Sequence, residues 1–305
     1  MACTYSKLKM KTPVDRRLVL LGLAFTTALL GQVDAREIIR NAVAADERNW
    51  KIARNYRFLE RVELRRLDSQ GGLESTEVKT YDITLQEGTP YRQLVQRDDR
   101  PLPASEVRRE QESFAKSIAG RRQETTAERA KRLSAYEGRP DWQREAWHEL
   151  PDAFEFRLVG GGSPEGRSIF IIEAIPRPGY QPRSRTAKLF GSLRGRFWVD
   201  QQDHQIVKVE AEVIDTISVW LFLVRVAKGS RATLELTRVR DGVWLPDRLQ
   251  VFASARFGLL KVFRFEQRVD YRYDRVSAVA RTIDPAEGRD ARSTRLNRFA
   301  KVTSP

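Results

Sequence analysis

The 305-residue chain has a single cysteine, Cys3, and only two histidines, His148 and His204. The first shortage excludes a disulfide framework; the second leaves almost nothing from which to build an imidazole metal site or acid–base centre. Neither histidine has a second imidazole or a close carboxylate pair at ligand spacing, so no metal and no cofactor is expected. His204 falls at a predicted hairpin tip, a common place for a solvated histidine, and His148 lies within Trp147-His148-Glu149. The glycine-rich loop Gly160–Gly166 contains Ser163, but a strand follows it, and it has neither the strand-to-helix turn of a nucleophile elbow nor the lysine of a phosphate-binding loop. It reads as a hairpin connection. Carboxylates are plentiful, yet spacing alone picks out no catalytic pair.

The chain also lacks an apolar run of the roughly 20 residues that a membrane-spanning helix needs. Its longest, Leu18 to Leu30, follows a basic lead of Lys7, Lys9, Lys11, Arg16 and Arg17 and precedes Val33-Asp34-Ala35, with small residues at the positions read by a signal peptidase. Residues 1–35 are therefore expected to be a signal peptide cleaved after Ala35, the other reading being an uncleaved anchor helix. Arg16-Arg17 leaves the export route open between the general and twin-arginine pathways. The mature protein is expected to be periplasmic or secreted.

Removing that leader takes away five basic and two acidic residues, so the formal net charge falls from +14 to +11. Nucleic acid, anionic lipid headgroups and acidic envelope polymers are the partners such a surplus suits. Export argues against nucleic acid. The arginines are interleaved with acids, as in RVELRRLD and RVDYRYDR, which fits charged outer faces of strands better than one binding stripe.

Arg36 to Asn55 spaces Ile38, Ile39, Ala42, Val43 and Ala45 as one apolar stripe of a helix. A meander of three strands follows, over 56–67, 73–85 and 91–97, punctuated by Asp68-Ser69-Gln70-Gly71-Gly72 and Glu87-Gly88-Thr89-Pro90. Residues 104–150 form a very polar helical insertion, either a surface arm or a lid, with Trp142, Trp147 and Leu150 available to dock it. From Asp152 to Tyr273 nearly everything alternates as strand. Val207, Val209, Ala211 and Val213 oppose Lys208, Glu210 and Glu212; Leu249, Val251 and Ala253 oppose Arg248 and Gln250; Phe263 and Phe265 oppose Arg264 and Glu266. No βαβ rhythm appears, which excludes a doubly wound nucleotide-binding fold. A long one-sided sheet must curl and be covered by helices. The expected fold class is α+β, mainly antiparallel β: an incomplete half-barrel of about ten strands with helices on its concave face, spanning 36–283, followed by a flexible basic tail over 284–305.

Two segments stand out. Glu173 to Arg185 carries Pro176, Pro178 and Pro182 among Arg177, Tyr180, Arg183 and Arg185; it is either a rigid crossover or a clamp for an anionic headgroup. Ile217 to Val224 has one polar member and does not alternate, so it either plugs the core or forms a mouth that touches a membrane surface.

The hairpin GRFWVDQQDHQIVKVEAEV (Gly195–Val213) and the later GVWLP (Gly242–Pro246) resemble those of the bacterial outer-membrane lipoprotein-sorting proteins, the Lol-type periplasmic carriers and their relatives. The order of elements matches over most of the mature chain, although the insertion and basic tail depart from the well-studied carriers. The resemblance implies an apolar cavity that shields acyl chains.

The function expected is a non-enzymatic, monomeric exported protein that binds a hydrophobic ligand such as a lipid or lipoprotein acyl chain. Trp198, Val207, Val209, Leu249, Val251, Phe263 and Phe265 are expected to line the cavity, and Arg183 and Arg185 to meet a headgroup. The alternatives are an envelope scaffold with a filled core and a carboxylate-dependent envelope hydrolase.

Overall fold

The computed structural model describes residues 34–273 except 139, 164–165, 220–223, 240–241 and 258–260. Helix α1 (Ala35–Ala53) is capped by Asp34, whose side chain accepts a hydrogen bond from the Arg36 N–H at 2.9 Å. This satisfies one of the donors that a helix start leaves without an intrahelical partner. Ala35, Ile38, Ile39, Ala42, Val43 and Ala45 are buried along one stripe, as the 3.6-residue pattern requires.

Strands β1 (Phe58–Leu67), β2 (Leu73–Gln86) and β3 (Thr89–Arg97) form the meander, closed by a two-residue β4 (Arg100–Pro101). The β2–β3 turn places Glu87 and Gly88 at φ 48° and 83°, the pair of left-handed residues that a tight hairpin turn demands. A Cβ at Gly88 would lie 2.6 Å from a methyl of Leu133 on the insertion, which would have to turn aside. The insertion comprises α2 (Ala104–Arg122), α3 (Thr126–Glu137) and α4 (Asp141–Ala153). Helix α3 starts with a capping box between Thr125 and Glu128.

Strands β5 (Phe154–Gly162), β6 (Ile169–Pro176), β7 (Leu193–Asp200), β8 (Ile206–Val213), β9 (Ile217–Val219), β10 (Val224–Val226), β11 (Arg231–Arg238), β12 (Trp244–Phe257) and β13 (Lys261–Tyr273) complete the described chain. The sheet is antiparallel with order β4-β3-β2-β1-β13-β12-β11-β8-β7-β6-β5, and β9 and β10 attach beside β12. The ladder does not close, since its end strands β4 and β5 are not paired with each other among the described residues. This is an α+β fold with an open, incomplete barrel. Thirteen strands stand where about ten were expected, the additions being the short β4, β9 and β10. The glycine run expected as a turn begins inside β5: Gly160, Gly161 and Gly162 pair with Ile171, Phe170 and Ile169. The leader before Asp34 and the tail 284–305 lie outside the described residues.

One half of the sheet is filled. Ile38, Ile39, Ala42 and Val43 of α1, with Leu150 and Ala153 of α4, pack on Phe154, Ile172, Ala174, Phe197 and Val199. Ile39 and Ile172 are fully buried. Asn49 ties the far end of α1 to β12, donating to the Trp244 carbonyl at 2.7 Å and accepting from its N–H at 2.9 Å. Helix α2 leans on the opposite face of β3, where Phe114 meets Tyr91 edge to face at 5.0 Å.

Candidate functional site

The face of the sheet that α1 covers continues past the filled half as an apolar wall. Val209, Leu234, Leu249, Val269 and Val62 are successive register partners across β8, β11, β12, β13 and β1. Apart from Val269 they are only half-buried. The next row toward the β12–β13 turn holds small or slender residues: Gly195, Ala211, Ala232 and Val251, followed by Gln267 and Leu64. At its β13 end a cavity of about 290 Å³ is lined by Leu64, Leu67, Val262, Phe263 and Phe265, together with the polar Arg66, Glu74, Arg264 and Gln267.

The two ends of this groove differ. Toward the β1 N-terminus, Phe58 packs against Tyr271 and Tyr273 at 5.8 and 5.5 Å, and Tyr56 meets Tyr273 at 6.4 Å. Burial pushes the Tyr271 hydroxyl up to about 12 and raises that of Tyr273 further. Edge-to-face and tilted rings occupy this end. The other end carries Phe263, which is 42% exposed, and Phe265, which is half-buried.

Among the residues expected to line the cavity, Val209, Leu249, Val251, Phe263 and Phe265 share this inner face. Trp198 does not, and that expectation is corrected. It stands beside Arg196 and Lys208, 6.0 and 4.9 Å from its ring, while its neighbour Phe197 enters the core. Strand alternation puts only one of the pair inside, and Phe197 pairs with Val209 on the inner side. Val207 is also displaced. Trp198 pairs with Lys208 and Val199 with Ile206, so a bulge leaves Val207 out of register and Ile206 takes the buried place. Leu234, Val62 and Leu64 line the inner face without having been singled out from the sequence. The alternation in RATLELTR and FLERVELRRL carried that information.

Arg183 and Arg185 lie elsewhere, on the proline-rich segment that folds over α4. The Arg183 guanidinium bonds Asp152 at 3.1 Å, and its backbone N–H donates to Glu149 at 2.8 Å. Tyr180 donates its hydroxyl to the same Glu149 carboxylate. Burial acts to raise the Glu149 carboxyl, but these donors outweigh it and hold it below its ordinary value. Arg185 is exposed. The segment is a pinned crossover. Of the Ile217–Val224 run, Ile217 is buried and residues 220–223 lie outside the described residues.

The tip of the β7–β8 hairpin is equally structural. Asp200 is buried, accepts from the N–H groups of Gln202 and Asp203, and bonds Arg167 at 2.7 Å. Asp203 accepts from the Trp244 indole at 3.1 Å, and His204 adopts a left-handed φ of 54°. His148 contacts Glu47 at 3.2 Å on the surface. Among the described residues no group of three His, Cys, Asp or Glu side chains is placed to hold a metal, and no helix is long and apolar enough to cross a membrane.

A larger depression, about 520 Å³, crosses β6, β7, β8 and β11 on the outer face. Its walls are largely self-compensating: Glu173 bonds Arg157 and Arg196 at 2.6 and 2.7 Å, and Arg194 bonds Glu212 at 2.6 Å. Charges already paired offer a ligand little, so the smaller apolar cavity is the better candidate.

No family model matches the chain, and no curated protein does. Its neighbours among solved structures include an outer membrane lipoprotein-sorting protein domain from Vibrio parahaemolyticus, 10% identical over 83% of this chain and 98% of that one, with a TM-score of 0.32. A LolA superfamily protein from Nitrosomonas europaea is 10% identical over 80% and 96%, at 0.29. A DUF1329 family protein from Desulfovibrio piger is 13% identical over 80% and 95%, at 0.31. The first two are named for the group that the two hairpins resemble. At such identities and scores the similarity says nothing about ligand or activity.

Proposed function

We propose that this chain is an exported, non-enzymatic protein that holds a hydrophobic ligand, a lipid or lipoprotein acyl chain, along the inner face of its open sheet. The observation that carries this is the half-buried apolar row from Val209 to Val62, which continues beyond the helix-covered half into an apolar cavity. Such a wall left part-exposed is the ordinary setting of a hydrophobic site. Val209, Leu249, Val251, Phe263 and Phe265 make contact in this reading, joined by Leu64 and Leu234. Burying a chain contributes about 0.8 kcal/mol per methylene, so 16 carbons supply roughly 10 kcal/mol before association costs and no catalytic group is required.

Export rests on the basic lead and apolar run before Asp34. A second reading, an envelope scaffold, draws on the filled half of the sheet, where α1 leaves Ile39 and Ile172 no exposure. Native mass spectrometry of the protein purified from its own host separates the two. The carrier reading expects a co-purifying amphiphile, or uptake of added fatty acid or phospholipid. A protein that is empty and also ignores both would overturn it.

A further inference from the structure

We infer that the open end of the groove is a docking surface for an anionic lipid bilayer, an inference that rests on the ligand-groove reading above. With the Tyr56, Phe58, Tyr271 and Tyr273 rings at the opposite end, a chain-like ligand would pass by way of the exposed Phe263. Phe252 and Val262 are 42% and 47% exposed on the outer face, and Phe263 is 42% exposed on the inner one. An antiparallel sheet with one solvated face puts polar residues on it; here apolar groups emerge from both faces of one hairpin.

The charges supply the second observation. Arg225, Arg256 and Val262 are successive register partners on β10, β12 and β13. Like charges directly opposite one another are destabilising in a sheet. Most arginines of the outer face are neutralised by acids, as Arg65 is by Glu266 at 2.7 Å and Arg248 by Asp270 at 3.0 Å. Arg225 and Arg256 are exposed and form no hydrogen bond or ion pair among the described residues. Adjacent uncompensated guanidinium groups beside exposed apolar side chains match the two layers of a membrane interface, phosphate outside and acyl chain beneath. An anionic bilayer relieves the Arg225–Arg256 repulsion and covers Val262 and Phe252. It also places the groove mouth at Phe263 against the source of the ligand.

The test is co-sedimentation of the full chain with vesicles of phosphatidylcholine alone or mixed with phosphatidylglycerol. Binding is expected only with the anionic lipid and is expected to weaken with salt. At the usual worth of a basic residue near such a surface, Arg225→Gln with Arg256→Gln lowers partitioning about 25-fold, about fivefold for each. Phe252→Ser, on the outer face and outside the cavity wall, lowers it while uptake of a pyrene-labelled fatty acid in vesicle-free solution is retained. Equal binding to pure phosphatidylcholine, no binding to either, or indifference to both the arginine pair and Phe252→Ser overturns the inference. So does a dimer, seen by sedimentation velocity, that Val262→Ser dissolves, because the patch then serves self-association. A protein that takes up the fatty acid but ignores vesicles sinks the docking surface alone. Failure to take up the fatty acid sinks the groove reading itself.

Discussion

Replacing Val251 with tryptophan separates a ligand groove from a filled core. Val251 is half-buried, and its register neighbours across the inner face are Ala232 and Gln267, with Ala211 and Gly195 beyond. An indole at this position lies over small side chains. If an acyl chain rests there, the indole displaces about three methylenes at about 0.8 kcal/mol each, a loss of about 2.4 kcal/mol or roughly 50-fold in affinity. On the groove reading the space is open, and the urea midpoint should then shift by no more than about 0.5 kcal/mol in stability. A filled core gives the reverse: overpacking costs about 1–3 kcal/mol, and there is no binding to lose. The assay pairs displacement of a fluorescent fatty acid with urea unfolding followed by tryptophan emission. Wild-type affinity in Val251→Trp refutes the placement of the ligand on this row. A large stability loss in a protein that binds nothing refutes the groove.

Trp198→Ala should leave fatty-acid affinity unchanged and cost at most about 1 kcal/mol in stability, because the ring stacks with Lys208 and Arg196 on the outer face; a marked loss of binding would return Trp198 to the groove. Ile39→Ala should cost about 2–5 kcal/mol in urea unfolding, since Ile39 is fully buried between α1 and the sheet; a cost under about 1 kcal/mol would show that α1 is not docked as described. Glu149 has its folded-state value held below the ordinary 4.5, so its stabilisation is complete above that ordinary value and is lost as pH falls through the lower folded value. Glu149→Gln should therefore destabilise the protein at pH 7, with the gap from wild type narrowing as pH falls below the ordinary carboxylate value; a gap independent of pH would mean that the ionised carboxylate is not what Tyr180 and Arg183 hold.

Much of the architecture was legible in the sequence because period is a local property. The stripe of Ile38, Ile39, Ala42 and Val43 could bury itself only as a helix face, and the alternation in HQIVKVEAEV or RLQVFASARF could do so only as strand. Turn residues such as Glu87-Gly88 marked where strands reverse. The site was legible in part. Leu249, Val251, Phe263 and Phe265 share one face, as expected, because long uninterrupted strands keep parity. Trp198 was misplaced because size and apolarity suggested the interior, whereas parity puts Phe197 there; Val207 was misplaced because a bulge shifts parity by one residue at Trp198–Val199.

The sequence by itself determined an antiparallel, helix-covered sheet with almost no histidine or cysteine chemistry. Only the tertiary structure decided which strands lie side by side, because β1 pairs with β13 across some two hundred residues and no local pattern encodes a partner so distant. That pairing brings Val62 and Leu64 beside Val269 and Gln267 and sets aromatic rings at one end of the wall. It also decided that Arg183 and Glu149 serve the crossover, since whether an arginine is free for a ligand depends on which carboxylate the fold has already brought to it.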